Sequence, residues 1–379
     1  GRRFRLAHLH YSKGKIIEVA TFRSSGRADQ VVRDGEMIRR DNVFGTPDED
    51  AHRRDLTING IFYDVSSFCV IDYVDGVKDL RAGVIRMIGD PHYSFREDPI
   101  RMLRAIRHSV RIEFQFDQET SDAMERSRDE ILKANPARLL EELYKDLASG
   151  CAKKFFSCLH KKGFLDLLMP SLAEVLAHEE TRKEWIAVLE RLDDQRVDGH
   201  KIHQTMGIAA LISPLLLPRL RKVQRQSNRN HRTISEAFRA DLADVLGQLK
   251  VYRRDEERLW AALGGLAAVS DCVHERKWSD KLTARHWFRD SMEILYVLLG
   301  PGEGRREMLE KARLIPISHY VDGPPRRRRR KGGTIGQQRG DGGAPEAKSG
   351  PDGVLSRSSP RRRRRKPSRT PGSRRPRSP

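Results

Sequence analysis

Apolar and polar residues alternate at the start of the chain, and from residue 94 onward the apolar positions recur every three or four residues. The alternation over residues 4–11 and 16–22 predicts two strands. Ser12-Lys13-Gly14-Lys15 joins them as a four-residue hairpin turn, with glycine where a positive φ is favoured. In the second strand Ile16, Glu18, Ala20 and Phe22 share one face, and Ile17, Val19 and Thr21 the other. Glu18 therefore falls among apolar neighbours, a costly place for a carboxylate unless it is paired or binds a cation. The alternative is an edge-strand glutamate reaching solvent. Residues 24–42 are polar, charged and glycine-containing and read as a mobile loop. Residues 48–65 open with acids and run through Arg53-Arg54-Asp55-Leu56-Thr57-Ile58-Asn59 into an apolar segment, as a helix pointing into the sheet would. A short strand is expected at 68–73, a turn at Asp75-Gly76 with Asp79-Leu80, and another short strand at 84–88. Helices follow over 137–147 and 153–168, with several more to about residue 314. The pattern gives a small α/β head, an all-α neck and body, and no fixed-period repeat.

The segment Glu97-Asp98-Pro99-Ile100-Arg101-Met102-Leu103-Arg104-Ala105-Ile106-Arg107 carries the most chemistry. Asp98 before Pro99 reads as an N-cap with proline at the first helical position, and Ile100, Leu103 and Ile106 form an apolar face. Glu97, Arg101, Arg104 and His108 share another face. An aspartate accepting from an exocyclic amine, beside an arginine donating to the adjacent ring nitrogen, matches the Watson–Crick edge of adenine or cytosine. Guanine and uracil present the opposite order of donor and acceptor. The plainer alternative is that Asp98 only caps the helix and Arg101 only pairs with Glu97.

Composition adds a tail. The 379 residues carry a formal charge of +20, and residues 324–379 hold 19 Lys/Arg against 3 Asp/Glu. The runs 326–331 and 361–366, set among Gly, Pro and Ser, cannot bury a core and are expected to be disordered. Arg326, Arg327, Arg328, Arg361, Arg362 and Arg363 would attract RNA phosphates in a salt-sensitive, sequence-independent way; a merely solubilising tail is the alternative. No apolar face accompanies these arginines as a membrane-surface segment requires. The longest apolar run, 206–217, is interrupted by Pro214 and too short to span a bilayer. Cys69, Cys151, Cys158 and Cys272 form no metal-ligand spacing and read as reduced, mostly buried thiols of a cytoplasmic protein. His200 and His203 lack a third metal ligand at a recognisable spacing and suggest a structural or surface role. Residues 219–232 are basic and fit either an RNA-facing patch or a solvated loop.

Three segments, Ile16-Ile17-Glu18-Val19-Ala20-Thr21-Phe22-Arg23, Arg53-Arg54-Asp55-Leu56-Thr57-Ile58-Asn59 and Glu97-Asp98-Pro99-Ile100-Arg101-Met102-Leu103-Arg104, together resemble the bacterial poly(A) polymerase and tRNA nucleotidyltransferase family. This is the class II branch of the polymerase β-like nucleotidyltransferases, and the likeness is best over residues 1–170. The resemblance implies an incomplete nucleotidyltransferase head at 1–80, a nucleotide- and RNA-binding helical neck at 81–150, an RNA-binding helical body at 151–323 and the basic tail at 324–379. It gives Glu18 the role of third carboxylate in a two-magnesium site and makes Glu18 and Asp55 the catalytic candidates. Arg53, Arg54, Asp55 and Asn59 would grip ribose and triphosphate, and Glu97, Asp98, Arg101 and Arg104 would serve base recognition. Permanently charged, bidentate guanidinium suits phosphate oxygens. Tyr73, Asp75, Gly76, Asp79 and Leu80 resemble the family's hinge between head and neck.

The family's opening Gly-Gly-x-Val-Arg-Asp segment and Asp-x-Asp pair do not occur in this chain. Phosphoryl-type transfer needs their two metals, so roughly a hundred preceding residues are expected to be missing and the chain alone to be inactive. Within the family, Gly1-Arg2-Arg3-Phe4-Arg5-Leu6-Ala7-His8 and the arginine-rich arm resemble the poly(A)-adding branch. The expected activity is template-free addition of AMP from ATP to RNA 3′ ends. CCA addition to tRNA is the alternative, and a non-catalytic RNA-binding protein the alternative of another class. RNA-decay protein partners are not legible in the sequence.

Overall fold

The computed structural model describes residues 6–11, 15–24, 32–34, 37–40, 43–224, 230–275, 277–299 and 307. All lie in a unit spanning Gly1–Val321; a second unit, Asp322–Pro379, lies outside the described residues. The expectations for the arginine runs of the tail therefore fall outside them as well.

The head begins with β1 (Leu6–His10) and β2 (Ile16–Ala20), paired antiparallel with His8 opposite Glu18. The segment expected to be a loop contains strands: β3 (Arg23–Ser24) pairs with β6 (Val43–Phe44), and β4 (Val32–Asp34) pairs with β5 (Met37–Arg40). Val31-Val32 and Met37-Ile38 flanking Asp34-Gly35 are a short hairpin signal that the surrounding charge obscured.

The single helix expected over 48–65 is also corrected. α1 (Pro47–His52) is capped by Thr46 and Glu49 in a reciprocal capping box and ends at Arg53. Leu56 is extended and bridges to Met87, a 3₁₀ turn follows over Thr57–Asn59, and β7 (Ile61–Asp64) pairs with β8 (Cys69–Asp72). β-Branched Thr57 and Ile58 followed by Gly60 disfavour helix continuation.

The expected turn at Asp75–Leu80 is the start of α2 (Gly76–Ala82). Asp72 accepts from the backbone N–H groups of Val74, Gly76 and Val77 at 3.1, 3.0 and 2.9 Å and so starts that helix. A Cβ on Gly76 would sit 2.2 Å from the Thr57 carbonyl oxygen, so only glycine allows this approach. β9 (Val84–Ile85) pairs parallel with β10 (Gln115–Phe116).

Between them run α3 (Pro91–Glu97), capped by Asp90, and α4 (Ile100–Ile112). Ile100, Leu103 and Ile106 are buried as the periodicity predicts. α5 (Gln118–Arg126) and α6 (Pro136–Leu147, capped by Asn135) follow. The helix expected over 153–168 is two, α7 (Ala152–Lys161) and α8 (Phe164–Leu168), because Gly163 takes φ +74° and ends the first. α9 to α16, from Pro170 to Leu299, form the rest of the described body. One continuous apolar core runs from Leu56 through Leu103 and Trp185 to Leu298. Among the described residues no helix is long and apolar enough to cross a membrane. The four cysteines are free; Cys69 is exposed and the other three half-buried, less buried than expected.

Candidate nucleotide site at the head–neck junction

The Arg53-Arg54-Asp55 segment leaves α1 and meets α4, the helix expected to read the base. Asp55 is 6% exposed. Its Oδ1 accepts from the Leu56 N–H and Asn59 Nδ2, both at 3.0 Å, and its Oδ2 accepts from Arg104 Nε at 2.5 Å. Burial would raise the Asp55 pKa, but the Arg104 charge and these hydrogen bonds bring it below the usual carboxylate range. Asn59 Nδ2 also lies 3.4 Å from His108 Nε2. Burial, with cationic Arg104, Arg107 and Arg111 nearby, lowers the His108 pKa against the opposing charge of Asp55; an amide NH2 only donates, so Nε2 is the acceptor in this contact. Asp55, Asn59, Arg104 and His108 are thus one cluster that fixes the Arg-Arg-Asp segment on α4.

Arg54 is held by Asp50 at 3.1 Å and by the Asn59 carbonyl at 3.2 Å, and it lies over the Phe62 ring. Asp50 is buried and also accepts from the Arg23 N–H at 3.1 Å, which ties β3 to α1. The Asp50–Arg54 pair has i, i+4 spacing. Burial lowers the Arg53 pKa, as do the charges of Arg23 and Arg101, and Glu97 opposes them.

Asp98 does not cap α4 with its side chain, which corrects the N-cap expectation: it is the C-cap of α3, and Pro99 is the N-cap of α4. The Asp98 carbonyl accepts from the Arg101 N–H at 3.0 Å, whereas its carboxylate Oδ2 accepts from Arg138 Nη2 at 2.8 Å. Arg101 donates to Ser94 Oγ at 2.6 Å and pairs with Glu97 at 2.9 Å. The pair expected to meet the base is therefore held from outside, the acid by α6 and the base by α3.

Linear spacing did not point to Arg138, which lies 40 residues from Asp98. It also missed Arg107, a buried α4 residue bidentate to Asp146 at 2.6 and 2.9 Å and paired with Glu142 at 2.5 Å, both on α6. Of the residues expected at a hinge, Asp79 is tied to neighbouring segments. Buried Asp79 accepts from Thr57 Oγ1 at 2.8 Å and from Arg86 Nε at 3.0 Å, and Arg86 reaches Asp117 at 2.9 Å.

Glu18 lies apart from this arrangement. Its side chain is 65% exposed, and His8 Nε2 is 3.5 Å away. That corrects its expected apolar surroundings, because every residue of β2 is exposed. The described residues do not fit a metal centre: none of them form a cluster of three or more His, Cys, Asp or Glu able to hold a metal ion, and one solvated glutamate cannot hold two magnesium ions. His203 is structural. It caps α11 (Gln204–Leu211) through Thr205 N at 3.3 Å, and its Nε2 is 2.5 Å from Arg258 Nη1. Arg219, Arg221 and Arg232 pair with Asp241, Glu184 and Glu236, as on a solvated surface.

Comparison with known proteins finds two matched family segments and several relatives. Residues 1–86 match the family described as "Poly A polymerase head domain", and residues 113–176 match "Probable RNA and SrmB- binding site of polymerase A". The chain is 34% identical over 294 residues to poly(A) polymerase I of Escherichia coli O6:H1, covering 69% of this chain and 62% of that protein. It thus spans about three fifths of that relative's length. It is 33% identical over 132 residues to a CCA-adding enzyme of Lactobacillus helveticus, covering 35% of this chain and 32% of that one. A solved structure described as a CCA-adding enzyme, apo form II, shares the fold with a TM-score of 0.54 at 18% identity, over 83% of this chain and 68% of that one. With the head and RNA-binding segments of that family and this identity over most of its length, the chain is a relative of the bacterial poly(A) polymerases.

Proposed function

We propose that this chain supplies the nucleotide-gripping and RNA-holding parts of a polynucleotide adenylyltransferase that adds AMP from ATP to RNA 3′ ends without a template. The observation that carries this reading is the crowding of Arg23 and Arg101 about Arg53, with Glu97 paired to Arg101 at 2.9 Å, at the start of α4 beside Asp98. Such a surplus of guanidinium charge is relieved by a bound polyphosphate. In this reading Arg53 and Arg54 take triphosphate oxygens, and Asp98 with Arg101 accepts the amine and donates to the ring nitrogen of the base. Asp55 and Asn59 serve the ribose side of the site, and Arg104 holds Asp55 in place. The proposed divisions are 1–80 for the head portion, 81–150 for the neck, 151–323 for the body and 324–379 for an RNA-binding arm, in a cytoplasmic protein. Glu18 supplies one carboxylate to the head, and no step of the reaction is assigned to it.

CCA addition is the second reading, because the Asp98–Arg101 pair accepts adenine and cytosine alike and a CCA-adding enzyme is among the relatives. The test is extension of an unstructured RNA by the whole protein with ATP or CTP alone. Long adenylate tails with little use of CTP are expected, and addition confined to tRNA ends overturns the choice. Arg101→Ala is expected to reduce the preference for ATP over GTP at least tenfold; an unchanged preference refutes base reading by this pair.

A further inference from the structure

Resting on the reading in which Arg54 meets triphosphate and Asp55 with Asn59 the ribose, we infer that His108 is a positioning residue for nucleotide binding: its neutral ring, presented by α4, fixes Asn59 and through it the Arg-Arg-Asp segment. Arg104 and His108 lie four residues apart and share a face of α4. Each holds one side of the same carboxylate. Arg104 Nε reaches Asp55 Oδ2 directly, and His108 reaches Oδ1 through the Asn59 amide, whose Nδ2 lies 3.0 Å from Oδ1 and 3.4 Å from His108 Nε2. The backbone carbonyl of the same asparagine accepts from Arg54 Nη1 at 3.2 Å, so one residue sets both the acid and an arginine of the segment.

The chemistry of the contact allows one protonation state. A primary amide carries two N–H donors, and here one serves Asp55 and the other His108. Turning the amide over would set its carbonyl oxygen against the Asp55 carboxylate, so the acid fixes its orientation. Nε2 is then the bare acceptor, and the ring proton sits on Nδ1. Protonation would put a second N–H on the ring, facing the amide N–H, and would make Asp55 the better partner for it. The charges that act on the ring are Asp55 from the head and Arg104, Arg107 and Arg111 along α4, while the α6 carboxylates Glu142 and Asp146 are taken up by Arg107. Burial and the three arginines hold the His108 pKa below its ordinary value against Asp55. The neutral ring, and with it the fixed segment, is therefore present at neutral pH and is lost as pH falls through a value below 6.5.

The test uses the whole protein with His108→Phe, which keeps the bulk without an acceptor, and His108→Gln, whose amide oxygen accepts and does not titrate. Equilibrium ATP binding without RNA and steady-state extension of an RNA primer are read from about pH 8 to about pH 5.5, a window that brackets the ordinary histidine value. At the upper end His108→Phe is expected to weaken ATP binding and raise the KM for ATP about fivefold with kcat within about twofold, the size of one hydrogen bond. His108→Gln should recover at least half of that loss on a logarithmic scale. On acidification the parent should lose about fivefold more ATP affinity than His108→Gln, a comparison from which the titration of ATP itself cancels. An unchanged ATP affinity in folded His108→Phe, or parallel pH profiles of the parent and His108→Gln, overturns the inference. A gain of ATP affinity by the parent relative to His108→Gln at low pH also overturns it, since that marks direct contact of the imidazolium with phosphate. So does a fall of kcat with ATP binding unchanged, which marks a merely structural role. If His108→Phe does not fold, the pH comparison with His108→Gln decides alone. Arg54→Ala in the same binding assay separates the two claims. Unchanged ATP affinity there refutes the reading of the segment, whereas a loss there with none in His108→Phe refutes only the role of His108.

Discussion

The β1–β2 hairpin and helix α4 each carry charged residues with the spacing of a site, yet only α4 holds its charges in place. On the hairpin, Glu18 is 65% exposed, and Leu9, Ile17 and Val19 around it are each about half exposed. A two-stranded ribbon without a packed face restrains a side chain little. On α4 the apolar face is buried, and the charged face meets partners from three other segments: Asp55 and Asn59 before β7, Glu97 and Ser94 on α3, and Glu142 and Asp146 on α6. Charge with the right spacing becomes a defined arrangement only where a packed element fixes the backbone beneath it.

The contrast is broken most severely at Arg107. Arg107→Ala leaves Asp146 and Glu142 without their shared cation in a buried site, and loss of one partner of a buried pair costs about 3–5 kcal/mol. Urea unfolding should show a loss of that size; a loss below about 1 kcal/mol would mean that α4 and α6 are held by apolar packing alone.

The two buried aspartates that clamp α4 should respond to pH in opposite senses. Burial pushes Asp146 up to about 6, although Arg107 opposes the shift, whereas Arg104 and Asn59 hold Asp55 below the usual range against its burial. A raised folded value favours the protonated group. The contribution of Asp146 is therefore full below the unfolded value of about 3.9 and is lost as pH rises through about 6. The contribution of Asp55 is present above about 3.9 and is lost as pH falls through its lowered folded value. Urea midpoints from pH 3 to 7 check this. The stability difference between the parent protein and Asp146→Asn should shrink from pH 4 to 6, and the difference from Asp55→Asn should grow as pH rises from 3 to 5. Parallel profiles would refute the distinction.

The smallest effect is expected on the hairpin. Glu18→Ala should change stability by less than about 0.5 kcal/mol, as surface substitutions do. A larger loss in thermal unfolding would show that Glu18 is restrained by something besides His8.

Much of α4 was legible in advance, because a helix repeats every 3.6 residues and its buried and charged faces follow from local spacing. The same holds for the hairpin and for β8. The break at Arg53 was not legible. The acids of α1 and the apolar residues that follow read as one amphipathic run, and what divides them is the distant pairing of Leu56 with Met87. Asp98 misled for a similar reason: Asp-Pro is a strong local cap signal, but the Asp98 carboxylate had a charged partner on α6.

The sequence by itself determined the order of a small sheet-bearing head and a mostly helical body, and the family to which its motifs point. Each of these rests on interactions within a few residues, where covalent geometry sets the distances. Only the tertiary structure decided which of those residues are fixed. It placed Arg104 on Asp55, Arg107 on Asp146 and Arg138 on Asp98, at separations of 49, 39 and 40 residues, where packing and not spacing brings charges together. It also left Glu18 in solvent, because nothing in the local pattern of a strand specifies what covers its face.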